Sequence, residues 1–186
     1  MQLMEKEESL IIGCQQGDSK SQEELYALYS RKMYVVCLRY SKSQQVAEDI
    51  LQEAFIKVFD NIKKFRGESS LYYWIKRIVV NTALNSQRSK LYMFPMVDVS
   101  GLKARHEQEL VLSGFHFEEL LKMIQALPEG CQVIFNMYAI EGYTHQEIAD
   151  QLGIAVGTSK SQYARAKELL RESIKNADKL SYGEAR

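Results

Sequence analysis

The chain has 186 residues, with 24 Lys and Arg against 24 Asp and Glu and an apolar share of 46%. That share excludes wholesale disorder, and a net charge of zero excludes an indiscriminate nucleic-acid sponge. Cys14, Cys37 and Cys131 fit neither a zinc spacing nor a disulfide framework, so each is expected as a reduced thiol. Met1 to Glu8 is polar and acidic, unlike a secretory signal, and the longest apolar run is too short to span a bilayer; a cytoplasmic location is expected.

Two prolines, ten glycines and long stretches of helix-favouring residues, with no alternating run that reads as a strand, predict an all-α fold. The first helix is expected over about 6–16, closed at Gly17-Asp18. Ser21 is expected to cap a second, which carries Leu25, Leu28, Tyr29, Met33, Val36, Cys37 and Tyr40 at helical spacing. Ser43 caps a third, running to about Phe59, with Val46, Ile50, Leu51, Ala54, Phe55, Val58 and Phe59 as its apolar stripe. Its other face shows Glu48, Asp49, Gln52, Glu53 and Lys57. A basic loop over 63–69 leads to a fourth helix over about 70–88, burying Leu71, Ile75, Ile78, Val79 and Thr82. These helices are expected to share one core as a domain over 1–90.

Pro95, Ser100, Gly101, Ser113 and Gly114 then interrupt the pattern, and 91–114 reads as a linker. Leu91, Tyr92, Met93, Phe94 and Val97 within it imply docking on another surface. A second domain over 115–186 opens with a helix over 117–127 that puts Leu120, Leu121, Ile124 and Leu127 on one face. Pro128 suits the start of the next helix, which reaches about Ile140 and stops at Gly142. Thr144-His145-Gln146-Glu147 reads as a capping box, and the last helix runs from near Ala155 to about Asn176.

From Thr144 to Arg171 the layout is that of a helix-turn-helix. Ala149 is small where two helices cross, and Gly153 permits a turn with positive φ, after which Ile154 and Val156 plug the core. Val156, Ser159, Tyr163, Ala166 and Leu170 share one face of the last helix, while Thr158, Lys160, Ser161, Gln162 and Arg165 project from the others. Set in a major groove, the hydroxyls and amides would read base edges, with Lys160, Arg165 and Thr144 on phosphates. A plain αα-hairpin with a polar face has the same spacing.

Charge is segregated along the chain. Lys63, Lys64, Arg66, Lys76, Arg77, Arg88 and Lys90 dominate 60–90, 91–157 is acidic, and Lys160, Arg165, Lys167, Arg171 and Lys175 follow. Two basic stretches imply two anionic contacts, although solvated helix faces also produce such clusters. Tyr72, Tyr73 and Trp74 beside the basic loop suit single-stranded DNA, where bases stack on aromatics. Trp74 lies three residues after Leu71 and reads as structural. Arg77, Asn81, Asn85 and Arg88 recur along one helix face and, with Lys63 and Arg66, can track a strand. His106, His116 and His145 form no metal constellation, and neither a nucleophile signature nor a glycine-rich phosphate loop is present. No cofactor and no enzymatic activity are expected.

The stretches Ile124-Gln125-Ala126-Leu127-Pro128, Val133-Ile134-Phe135, Glu141 to Ala149, Leu152-Gly153-Ile154 and Gly157-Thr158 closely resemble the carboxy-terminal domain of extracytoplasmic-function sigma factors. Ala47 to Phe59 resembles that family's polymerase-binding helix, and Phe65 to Leu71 with Trp74 to Ile78 and Asn81 resembles its promoter-melting segment. The resemblance implies a subunit of transcription initiation whose partners are core RNA polymerase, promoter DNA and an anti-sigma factor. It implies polymerase contact through Glu48, Asp49, Gln52 and Glu53. It also implies minus-ten recognition through Lys63, Arg66, Tyr72, Tyr73, Arg77, Asn81, Asn85 and Arg88, and minus-thirty-five recognition through Thr144, Thr158, Lys160, Ser161, Gln162 and Arg165. Four positions depart from the family's common residues: Ala155 for Ser, Ser159 for Val, Gln162 for Arg and Cys131 for Arg. The competing reading is a dimeric helix-turn-helix regulator that binds an operator as duplex, which requires neither the acidic helix nor the aromatic-basic segment.

Overall fold

The structure, a computed structural model, describes residues 2–91 and 117–183, with side chains over 7–86 and 117–177. Its described residues are helices and connecting turns, as the sequence pattern predicts. The chain divides into two compact units, Met1–Ser86 and Gln87–Arg186. The fourth helix runs past its expected end at 88 to Leu91, the first residue of the expected linker; the rest of that linker, Arg88's side chain, and His106 and His116 lie outside the described residues.

In the first unit, α1 (Gln2–Gln16) and α3 (Gln44–Asn61) both pack on α2 (Ser19–Tyr40). A single 3₁₀ turn, Ile62–Lys64, leads towards α4 (Leu71–Leu91). The core takes Leu10 and Cys14 from α1, and Leu25, Tyr29, Met33, Val36, Cys37 and Tyr40 from α2. From α3 it takes Ala47, Ile50, Leu51, Ala54, Phe55 and Val58, and from α4 Leu71, Ile75, Val79, Val80, Ala83 and Leu84. Tyr29 donates its hydroxyl proton to Glu7, tying α2 to α1. All three cysteines are buried free thiols, and burial pushes Cys37 up to about 12, so it stays protonated.

Four local expectations need correction. Helix α1 starts at Gln2, earlier than the spacing suggested. Asp18, and not Ser21, caps α2: its carboxylate accepts from the Ser21 backbone N–H at 2.8 Å and the Ser21 hydroxyl at 2.6 Å. An ionised acceptor suits the positive end of a helix, and these bonds hold the Asp18 carboxyl below its ordinary pKa. Leu28 and Val46 are exposed, because each sits at the margin of its helix's apolar arc. On α4 the buried arc is centred on Ile75 and Val79, which leaves Ile78 half-buried and draws in Val80, Ala83 and Leu84. Ser43 does cap α3, accepting from Val46 N–H.

The second unit comprises α5 (Phe117–Ala126), α6 (Glu129–Phe135), α7 (His145–Leu152) and α8 (Val156–Gly183). Helix α6 continues into a π-helical turn, Asn136–Ile140, closed by the Glu141 N–H on the Asn136 carbonyl at 2.9 Å. Helices α5, α6 and α7 all pack on α8. Ile124, Leu127, Cys131, Phe135, Ala166 and Leu170 form its apolar cluster, with Met123, Tyr163 and Leu169 at the edge. Thr144 and Glu147 make the expected capping box. Gly153 closes α7 at φ 68°, a backbone conformation that a Cβ disfavours. Ile154 and Val156 are half-buried and make a looser plug than the spacing suggested.

Candidate nucleic-acid and polymerase interfaces

On α3 the side chains of Glu48, Asp49, Gln52 and Glu53 are all exposed, opposite the buried stripe Ala47, Ile50, Leu51, Ala54, Phe55 and Val58. Glu53 pairs with Lys57 at 2.6 Å, and Lys57 also reaches the Thr82 hydroxyl on α4 at 3.5 Å. The pair is solvated and adds little stability. Ile56, 62% exposed, lies one turn beyond Gln52 and Glu53 on this polar side. Sequence reasoning missed it. Its signal was an isoleucine outside the apolar stripe, in a helix whose core was already supplied.

The basic segment is also open to solvent. Lys63, Arg66, Arg77, Asn81 and Asn85 are exposed, and the last three climb one side of α4 at four-residue intervals. Tyr73 is 63% exposed, while half-buried Tyr72 meets its ring edge-on at 5.2 Å between centroids. Trp74 packs on Phe65 at 5.3 Å, consistent with its structural reading. The surface therefore offers one open aromatic ring among cations and amides, a combination able to stack a base and follow phosphates.

In the second unit, Lys160 is exposed on α8, and Thr158, Ser161 and Arg165 are half-buried beside it. Ser161 donates its hydroxyl proton to the Thr158 carbonyl at 3.0 Å, and Arg165 pairs with Glu168 at 2.7 Å. Thr144 accepts the Glu147 N–H and gives its own hydroxyl proton and N–H to the Glu147 carboxylate. Those bonds, the backbone one first, keep the Glu147 carboxyl below its ordinary pKa.

Gln162 does not project. It is 8% exposed, and its side-chain oxygen accepts the Cys131 thiol proton at 3.0 Å across the α6–α8 contact. A buried amide held from inside cannot also reach a base edge, so the expectation that Gln162 reads DNA is withdrawn. Ser159 is fully buried, and its hydroxyl lies 2.9 Å from His145 Nδ1. The His145 ring stacks on Tyr138 at 4.2 Å and 14° and meets Tyr163 at 5.8 Å. Lys167 sits 4.9 Å above the Tyr163 ring. Burial first, then Lys160 and Lys167, hold the His145 pKa below its ordinary value.

The family models described as Sigma-70 region 2 and Sigma-70, region 4, match residues 25–91 and 117–170. The ECF RNA polymerase sigma-E factor of Escherichia coli strain K12 is 30% identical over 177 residues, covering 89% of this chain and 92% of its own length. The corresponding factor of Haemophilus influenzae is 30% identical over 181 residues, covering 90% and 95%. The RNA polymerase sigma-H factor of Pseudomonas aeruginosa is 29% identical over 186 residues, covering 94% and 96%. Among solved structures, the sigma factor RpoE in complex with the anti-sigma factor NepR from Bartonella quintana shares the fold, at TM-score 0.52 and 20% identity over 82% of this chain and 96% of that one. Both region models in order, and relatives matched along nearly their whole length, establish that this chain belongs to the ECF class of RNA polymerase sigma factors, the factors of transcription initiation.

Proposed function

We propose that the chain binds core RNA polymerase through Glu48, Asp49, Gln52 and Glu53 and brings it to promoters that it reads at two places. Lys63, Arg66, Tyr72, Tyr73, Arg77, Asn81, Asn85 and Arg88 take the minus-ten element and hold its opened strand. Thr144, Thr158, Lys160, Ser161 and Arg165 take the minus-thirty-five element as duplex, with α8 in the major groove. These assignments make 1–90 the polymerase-binding and melting domain and 115–186 the duplex-binding domain, with 91–114 joining them. An anti-sigma protein is the proposed regulator, by analogy with the Bartonella quintana complex. No helix among the described residues is long and apolar enough to cross a membrane.

The observation that carries this reading is the division of α3 into a buried apolar side and an exposed acidic-amide side. The exposed side contributes little to the core, so it is available to a partner. Replacing Asp49 and Glu53 by Lys together should leave the thermal melt near that of the parent, since surface changes usually stay within about 0.5 kcal/mol. It should abolish co-purification with core polymerase and promoter-dependent transcription, because reversed charges meet an interface built for acids. A double variant that melts normally and transcribes at the parental level would reject the face as the polymerase contact.

A further inference from the structure

Two of the residues that depart from the family's common pattern on α8 point inward, and each has a polar partner on another helix. Ser159 meets His145 at 2.9 Å on α7, and Gln162 meets Cys131 at 3.0 Å on α6. Ser159 and Gln162 stand three residues apart, so both lie on the docked side of the same stretch that presents Thr158, Lys160 and Ser161 outward. Further along α8 the docked side is apolar, through Ala166 and Leu170.

The two kinds of contact constrain a helix differently. Apolar burial is non-directional, whereas a hydrogen bond weakens steeply once distance or angle departs from its optimum. A buried hydroxyl or amide that loses its partner is left desolvated, which penalises each misplacement of the helix. Around Ser159 and Gln162, α8 therefore has directional contacts, whereas at Ala166 and Leu170 its contacts are apolar. His145 adds a second constraint, because its ring is stacked on Tyr138 of the π turn and cannot follow a shift of α8 freely.

We infer that the pairs His145–Ser159 and Cys131–Gln162 fix the rotation and axial position of α8, and so act as positioning residues for promoter choice without touching DNA. This inference rests on the reading of α8 as the minus-thirty-five reader. Base discrimination demands that reading groups be held to about 0.5 Å by the residues behind them. The sequence preference of the chain is then set partly from its interior.

The test uses the full chain with core polymerase, transcribing from promoters whose minus-thirty-five element is randomised. Ser159→Ala should change the preferred base at one or more positions by about fivefold, the scale of a single lost base contact. His145→Phe, which keeps the ring stack but not the hydrogen bond, should shift the same positions in the same direction. The double variant should shift them no further, since both changes break one contact. His145→Asn can present an amide atom where Nδ1 stands and should restore the parental preference. Gln162→Met should alter preference while keeping the volume of the buried side chain. If a variant fails to melt cooperatively, the remaining ones carry the test, since the two pairs lie on different helix contacts. Variants that melt and transcribe normally with an unchanged base preference would overturn the inference. The underlying reading fails separately: if Lys160→Ala and Ser161→Ala also leave promoter strength and preference unchanged, α8 is not the reader.

Discussion

Gly13 of α1 stands against Ser21 in the first turn of α2, where a larger residue would not fit. A Cβ there would come within 2.1 Å of Ser21 Oγ and 2.7 Å of Ser21 Cβ. Rotating the Ser21 hydroxyl cannot relieve the second clash, so the backbones must part. Gly13→Ala should destabilise the chain by about 1–3 kcal/mol, the usual scale for overpacking. Adding Ser21→Gly should recover part of the loss in chemical denaturation, whereas equal stability of Gly13→Ala and parent would show that the helices yield. His145 gives a second prediction at this scale. Its folded pKa is lowered, so the neutral ring is the favoured form, and its contribution is complete above about pH 6.5. That contribution is lost as pH falls from there through the lowered folded value. His145→Phe should flatten the fall of unfolding free energy in that window, measured by denaturant titration.

Most elements were legible in the sequence because a single helix declares itself by its period and its ends. The stripe from Ile50 to Val58, the Ser43 cap and the Thr144–Glu147 capping box all depend on residues a few positions apart. Asp18 and Ser21 were harder to separate, since both can cap and only the position of the first helical turn decides. The inward turn of Gln162 was not legible. Its partner Cys131 lies 31 residues away, and periodicity within one helix says nothing about which polar side chain another helix will satisfy. Ser159 looked like a flaw in an apolar face until His145, 14 residues earlier, supplied its partner. The exposed segment of the first unit allows a prediction for whole elements. Replacing Arg66, Tyr73 and Arg77 by Ala should reduce permanganate reactivity of promoter thymines while leaving protection of the minus-thirty-five duplex intact, because stacking and strand tracking act only on unpaired bases. Unchanged reactivity would remove this surface from strand opening.

At the scale of the molecule, each unit has its own buried core: Met33, Ile50 and Ile75 in the first, Val133, Met137 and Ile148 in the second. Calorimetry should resolve a separate transition for each, as expected of compact units with separate cores. Met33→Ala should lower one transition and Ile148→Ala the other, each by about 2–5 kcal/mol, the cost of truncating a fully buried aliphatic side chain. A single transition shifted alike by both would show that the units unfold together. Domain organisation was readable as two stretches of helical periodicity separated by a break, but nothing in the spacing could show which polar residues each core would accept.

The π turn at Asn136–Ile140 has a consequence for how chains of this kind can change length. It holds one residue more than an α-helical turn, as the Glu141 to Asn136 hydrogen bond records. Removing one codon within it would restore ordinary helical register and redirect the side chains inside the turn. Tyr138 would then turn away from His145, although α6 up to Phe135 and the capping box at Thr144 could persist. The ring stack and the codon count of this turn are therefore inherited together, and a descendant that loses one must find another support for its imidazole.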